Sequence, residues 1–319
     1  MGKERQLFVN KLIKFRTVLI LLVLVIIFGV IKPIFLNPLN ILNMLKRMSY
    51  TAIPAFGMTF VMVLGGLDIS VGSTAAVVGV VMAMFLKNGI PISLAIVICL
   101  GIGMLFGIAN GIISVKGKIA PFLVTLATMN IFRGIALVLS EGKPIAIVNK
   151  VYVDMFGTGM LFGIFPMPIF ILILFFLISW FLFSKTKYGF YIRCIGGNED
   201  SAKVSGIPVN KIKIWTYAIM GSYGCVTGMI LAAFMSSGLP DIASDTAMDA
   251  IAAVVLGGTA IAGGIGTLWG TLGGALIMAT LNSGMSLLGA QTHVQILVKG
   301  LVIILAVLMD NALKSKEVV

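Results

Sequence analysis

Charge is what this 319-residue chain has least of: Asp, Glu, Lys and Arg together make up 11% of it, less than half the roughly 25% usual in soluble domains. With a mean hydropathy of +1.12, there is too little polar surface to cover a water-soluble globule of this size, and that class is excluded. Histidine occurs once, as His293, so no HExxH zinc site exists, and neither a Ser/His/Asp arrangement nor a GxSxG elbow is present. Cys99, Cys194 and Cys225 are scattered without CxxC or paired spacing, which suggests neither a metal site nor a disulfide framework. A G-x-x-x-x-G-K-[ST] loop is also missing, so the chain has no usual means of cradling ATP phosphates, and ATP chemistry would need another chain.

What remains is apolar, at 59% hydrophobic residues. About 20 apolar residues span a bilayer as a helix, and the runs here lack the period-two alternation of an outer-membrane barrel. Runs at 17–36, 49–66, 69–86, 91–114, 120–140, 160–183, 212–235, 248–262, 265–288 and 294–311 predict an all-α polytopic integral membrane protein of about ten passes, with a range of 8 to 10 because Gly blurs the runs at 49–86 and 248–288. The whole chain, 1–319, reads as one transmembrane domain. The first run follows a basic start, yet no small-x-small cleavage site comes after it, so it reads as an uncleaved anchor.

Basic residues set the expected orientation. With the amino terminus in the cytoplasm, that side collects Lys3, Arg5, Lys11, Lys14 and Arg16 (segment 1–16), Lys116 and Lys118, six from Lys185 to Lys213 (the coupling loop 184–212 and Lys213 just after it), and Lys314 and Lys316 (tail 312–319). Both termini are then cytoplasmic. The formal charge of +12 reads as topology and contact with anionic lipid. Without a Lys/Arg stripe interleaved with aromatics, nucleic acid is not an expected partner.

Two features stand out within the spans. The segments "GIGMLFGIANG" and "GIGTLWGTLGG" repeat one GxGxxxGxxxG spacing: Gly103, Gly107 and Gly111 follow Gly101, and Gly266, Gly270 and Gly274 follow Gly264. Glycines four apart share a helix face and let backbones approach, and the recurrence hints at duplicated halves. The second feature is polar groups at bilayer depth, where a charge costs about 2.5 to 3.5 kcal/mol on insertion scales. Asp68, Ser70, Asn130, Arg133, Asp249 and Asn282 are therefore candidates to line a translocation path. The competing reading makes the acidic residues helix caps and pairs Arg133 internally.

Five ordered blocks carry a resemblance that covers nearly the whole chain. "GMTFVMVLGGLDISVGS" (57–73), "KGKIAPFLVTLATMNIFRG" (116–134), "GGNEDSAKVSGI" (196–207), "MDAIAAVVLGGTAIAGGIGTLWGTLGGALI" (248–277) and "VKGLVIILAVLMDN" (298–311) together resemble the permease subunit of ribose-type ATP-binding-cassette sugar importers. The resemblance implies a type II importer-like permease that works as a homodimer in a bacterial cell membrane. It implies a separate cytoplasmic ATPase carrying ATP and magnesium, an extracytoplasmic sugar-binding protein as partner, and no cofactor bound by this chain. It also implies a coupling helix with an E-A-A-x-x-x-G pattern, matched here by Asp200, Ser201, Ala202 and Gly206, with Asp in place of Glu and Ser in place of the first Ala. The residues agree locally: after Gly196 and Gly197, Asn198 can cap a helix, Glu199 and Asp200 suit its first turn, and Gly206 before Ile207-Pro208 can end it.

Few polar side chains lie in the spans to satisfy a sugar's hydroxyls, so weak affinity in the membrane is expected, with selectivity in the binding protein. Three rival readings stand beside this one: the same family carrying nucleosides, branched-chain amino acids or a furanosyl signal; an independent secondary transporter or channel in which Asp68 and Arg133 pair; and, third, a membrane enzyme.

Overall fold

The computed structural model describes the backbone of residues 2–314 apart from 162 and 164, and the side chains of residues 17–305 apart from the same two, together with Leu308. Residues 315–319 of the anticipated tail lie outside the described residues. Thirteen α-helices occur among the described residues, the shortest being α6 (Lys150–Val153).

Long apolar runs become long helices. These are α1 (Gly2–Ile31), α2 (Pro38–Val63), α3 (Val71–Lys87), α4 (Ile92–Gly117), α5 (Pro121–Ser140), α7 (Met167–Lys185), α10 (Val209–Phe234), α12 (Leu268–Leu287) and α13 (Thr292–Lys314). Counting only fully described residues, four of them, α4, α5, α7 and α10, are by themselves long and apolar enough to cross a membrane, and shorter apolar stretches, among them Thr17–Ile31 and Thr292–Leu305, accompany them. The chain is a polytopic helical membrane protein. Local chemistry marks the helix ends: Asn37 accepts a hydrogen bond from Leu39 N at 2.9 Å ahead of Pro38, and Lys118 and Glu141 close α4 and α5 in the left-handed region at φ 53° and 52°.

Three expectations shift. The 160–183 run begins as a short hairpin, Met160–Leu161 against Phe165–Pro166, and becomes helical only at Met167. The 49–66 run belongs to a helix that starts at Pro38, which places Lys46, half-buried, and Arg47, exposed, on its early turns. The 248–262 run is not a spanning helix: α11 (Thr246–Leu256) has 11 residues, about 17 Å at 1.5 Å each, or half a bilayer. The other part of this crossing is irregular chain. After α10 ends, Ser237–Gly238 pairs with Ile145–Ala146, Gly238 then packs on Gly79 and Ala83 late in α3, and the Ala243 carbonyl presses on Gly72 at the start of α3. Residues 235–245 thus run down α3 into the bundle before α11 begins.

Non-helical backbone at membrane depth needs partners from protein, because lipid offers none. Arg133 supplies them, donating through Nη1 to the carbonyls of Pro240 (2.5 Å) and Ile242 (2.9 Å). An intramembrane cation and an unwound strand therefore satisfy each other.

α10 is the central pole, with 83% of its apolar window buried against 22% for α4. Lipid tails are as apolar as leucine, so burial alone does not drive helices together and close packing must. Gly103 faces Gly221 and Cys225, Gly107 faces the Tyr217 carbonyl and Ala218, and Gly111 faces Ile214, so α4 runs antiparallel to α10 at backbone contact. The second glycine series behaves differently. Gly270 and Gly274 of α12 abut Gly257 and Ala253 around the end of α11, whereas Gly266 precedes α12 and touches Thr259 and Val63. Gly101 meets nothing within 4 Å and Gly264 sits in a loop at φ +77°. The shared spacing therefore covers two unlike local structures, so the spacing by itself does not carry the hint of duplicated halves.

Candidate functional site

The polar stretch between α7 and α10 folds as two short helices, α8 (Lys187–Gly197) and α9 (Glu199–Val204). Asn198, in extended conformation, caps α9 by accepting from Ser201 N at 2.9 Å. Glu199 and Asp200 occupy the first turn, where the helix dipole favours negative charge. Gly206 at φ +80° ends the helix: its N–H reaches the Lys203 carbonyl at 3.0 Å, and Ile207 N reaches the Ala202 carbonyl at 3.1 Å. Glu199 also ties α9 to α10, since Lys213 Nζ lies 2.6 Å from one carboxylate oxygen and Lys203 Nζ 2.9 Å from the other. The Lys213 hydrogen bond, aided by Lys203, holds the Glu199 carboxyl below its ordinary range despite partial burial. Ala202 is buried beneath, while Val204 is 91% exposed and the Asp200 side chain 94% exposed. The helix thus presents one apolar and one acidic group outward.

Behind this loop, three stretches of backbone meet through glycine. A Cβ on Gly196 would collide with the Val63 carbonyl and lie 2.6 Å from Gly264 N, and one on Gly263 would lie 2.8 Å from the Gly196 carbonyl and 3.1 Å from Gly65 Cα. Gly264 N donates to the Val63 carbonyl at 2.8 Å. The end of α8, the end of α2 and the α11–α12 loop are therefore locked together with no side chain between them.

The six path candidates do not converge. Asp68 is buried in the α2–α3 link, accepting from Ser70 N at 2.8 Å and Ser70 Oγ at 2.6 Å, with Asn110 Nδ2 donating to the same Ser70 Oγ at 2.8 Å. Neither Asp68 nor Asn130 is paired with Arg133, and Asn130 is exposed, donating to Leu126 O of its own helix at 3.2 Å. Asp249 and Asn282 do come together. They line a cavity of about 450 Å³ enclosed by α2, α10, α11, α12 and α13, with Arg47, Tyr50, Gln295 and Lys299. Asp249 and Lys299 form an ion pair at 2.9 Å, both side chains largely buried. Phe234, at the far end of α10 from α9, lines the cavity as well, and Tyr50 stands 13 residues, about 20 Å of helix, from Val63 in α2. The cavity therefore opens in the half of the bundle opposite the α8–α9 loop.

Residues 40–307 match the family model described as the permease component of a branched-chain amino acid transport system. The chain belongs to this permease family. The permease is 44% identical over 292 residues to the ribose import permease of Bacillus subtilis, covering 91% of this chain and 90% of the relative. It is 42% identical to the ribose import permease of Haemophilus influenzae (96% and 95% covered) and 40% identical to that of Escherichia coli K12 (93% and 93%). These relatives are transport permeases, not enzymes. No solved structure matches the chain.

Of the permease's notable residues, Lys299, Arg47, Asn110 and Gln295 are not among the path candidates that the sequence suggests. Lys299 had a legible signal, being a lone cation inside the last apolar run. Asn110 did not, because an isolated amide in a Gly-rich helix gives no sign of a partner 40 residues away.

Proposed function

We propose that this permease is the membrane-spanning subunit of an ATP-driven importer that carries ribose, or a closely related pentose or hexose, into the cytoplasm by alternating access. The observation that carries the proposal is 40–44% identity to three ribose import permeases, each aligned over at least 90% of both chains. The working unit is two copies of this chain in the bacterial cell membrane, both termini cytoplasmic, receiving sugar from an extracytoplasmic binding protein. ATP and magnesium belong to a separate cytoplasmic ATPase, with which α9 docks through its exposed Val204 and Asp200.

The glycine junction suggests how docking reaches the transport route. A push on α9 is passed by α8 at Gly196 to the ends of α2 and of the α11–α12 loop without slack, since backbone meets backbone there. Both elements run on to the cavity, α2 through Tyr50 and α11 through Asp249.

The test is ATP hydrolysis by the co-purified permease and ATPase in lipid nanodiscs. Binding protein loaded with D-ribose should stimulate hydrolysis, and the same protein without sugar should do so weakly. The family description names branched-chain amino acids, so a leucine-loaded binding protein is the contrasting arm. Stimulation by that arm alone overturns the sugar assignment.

A further inference from the structure

We infer that the cavity between α2, α10, α11, α12 and α13 is a binding site for a neutral polyhydroxylated solute within each permease chain, entered from the face opposite α9. This inference rests on the import reading above and deepens it, because a transport route need contain no such site. At about 450 Å³, the cavity falls within the roughly 300–1,000 Å³ of small-molecule sites. A second hollow of about 320 Å³ shares Arg47, Phe234 and Ser286 with it and is lined further by Asn40, Asn43 and Lys46, so the polar lining continues outward as an approach.

The lining chemistry selects the class of ligand. Two cations, Arg47 and Lys299, face two anions, Asp245 and Asp249, so the walls are balanced in formal charge. Lys299 and Asp249 bond each other at 2.9 Å, which removes the ammonium best placed to hold a carboxylate. The remaining polar groups are neutral hydroxyls and amides, the alternating donors and acceptors that a sugar's hydroxyls require. Asn282 Oδ1 is shielded and has no hydrogen-bond partner among the described residues, a costly state for a polar group unless a ligand or water completes it. Tyr50, its ring centroid 6.3 Å from that of Phe234, gives one wall an aromatic surface suited to the C–H face of a sugar ring.

The site is tested by cysteine protection on the complete transporter in liposomes. Ser286, exposed at the cavity mouth, becomes the reporter as Ser286→Cys, with Cys194→Ser as background because Cys99 and Cys225 are buried. A membrane-impermeant maleimide added outside should label it. About 20 mM D-ribose, an excess over a millimolar site, should slow the labelling severalfold, while leucine at equal concentration should not. A second arm pairs Asn282→Leu with Gln295→Leu: KM for D-ribose uptake should rise about tenfold, the worth of one or two hydrogen bonds, with ATPase assembly unchanged. If the wild-type transporter takes up D-ribose but D-ribose gives no protection, the cavity assignment is overturned and the import reading stands. Absence of labelling from outside, or equal protection by leucine, also overturns it. If the wild-type transporter takes up no D-ribose at all, both inferences fall. Should the double variant not assemble, the protection arm decides alone.

Discussion

Gly206 carries the sharpest single-residue consequence. It sits at φ +80°, and a Cβ placed on it would have nothing within 4 Å, so a side chain there meets no clash and acts only through backbone strain. Gly206→Val should cost about 1–2 kcal/mol and re-aim the exit of α9, lowering ATPase co-purification while leaving membrane insertion normal. Gly196→Ala acts by the opposite cause, collision with the Val63 carbonyl, and should uncouple hydrolysis from uptake even where the ATPase stays bound. Glu199 adds a pH dependence with a definite sign. Its folded pKa is depressed below 4.5, first by the Lys213 hydrogen bond; its contribution is therefore complete above the ordinary value and lost as pH falls through the lower folded one. ATPase retention on permease-containing membranes should thus be flat from about pH 8 to pH 5 as far as Glu199 decides it. Glu199→Lys, which sets a third cation beside Lys203 and Lys213, should abolish retention throughout that range. A titration of retention centred near neutrality would contradict this account. Asn198, Glu199, Asp200 and Gly206 were all legible in the sequence, because capping and termination are local chemistry.

At the scale of elements, legibility divides by range. The α4 ladder could be read from spacing, but spacing does not say which glycines have a neighbour. Gly107→Leu should force α4 off α10 and lower folded yield sharply, overpacking costing about 1–3 kcal/mol or more, while Gly101→Leu, facing open space, should express normally. Equal yields from the two variants would mean that α4 does not pack on α10 along this face. The half-length α11 was not legible, since Gly-rich chain and helix share one apolar composition and only Arg133 with α3 decides that residues 235–245 unwind. Arg133→Leu leaves two intramembrane carbonyls unpaired, at roughly 1–3 kcal/mol each. Its melting temperature should fall by several degrees, together with uptake. Lys143→Ala, at a surface pair with Glu141 3.8 Å away and both side chains mostly exposed, should change neither measurably. A stable Arg133→Leu variant would show that residues 235–245 do not depend on this clamp.

In the whole molecule, the polar groups among the described residues occupy separate stations: the α9 surface, the glycine junction, the Asp68–Ser70–Asn110 network and the cavity at Asp249 and Lys299. Composition alone was enough to place the chain in a bilayer, and five ordered blocks to place it among permeases. The cavity was hidden because it joins residues from five helices that only the tertiary fold brings together. Such a layout suits the proposed role of a permease moved by a partner ATPase. The most direct measurement is therefore radiolabelled D-ribose uptake into liposomes holding the permease and the sugar-binding protein, with and without the ATPase. Concentrative uptake is expected only with the ATPase and ATP both present on the α9 side, and none from a proton gradient. Uptake by the permease without the ATPase, driven by a proton gradient, would contradict the account.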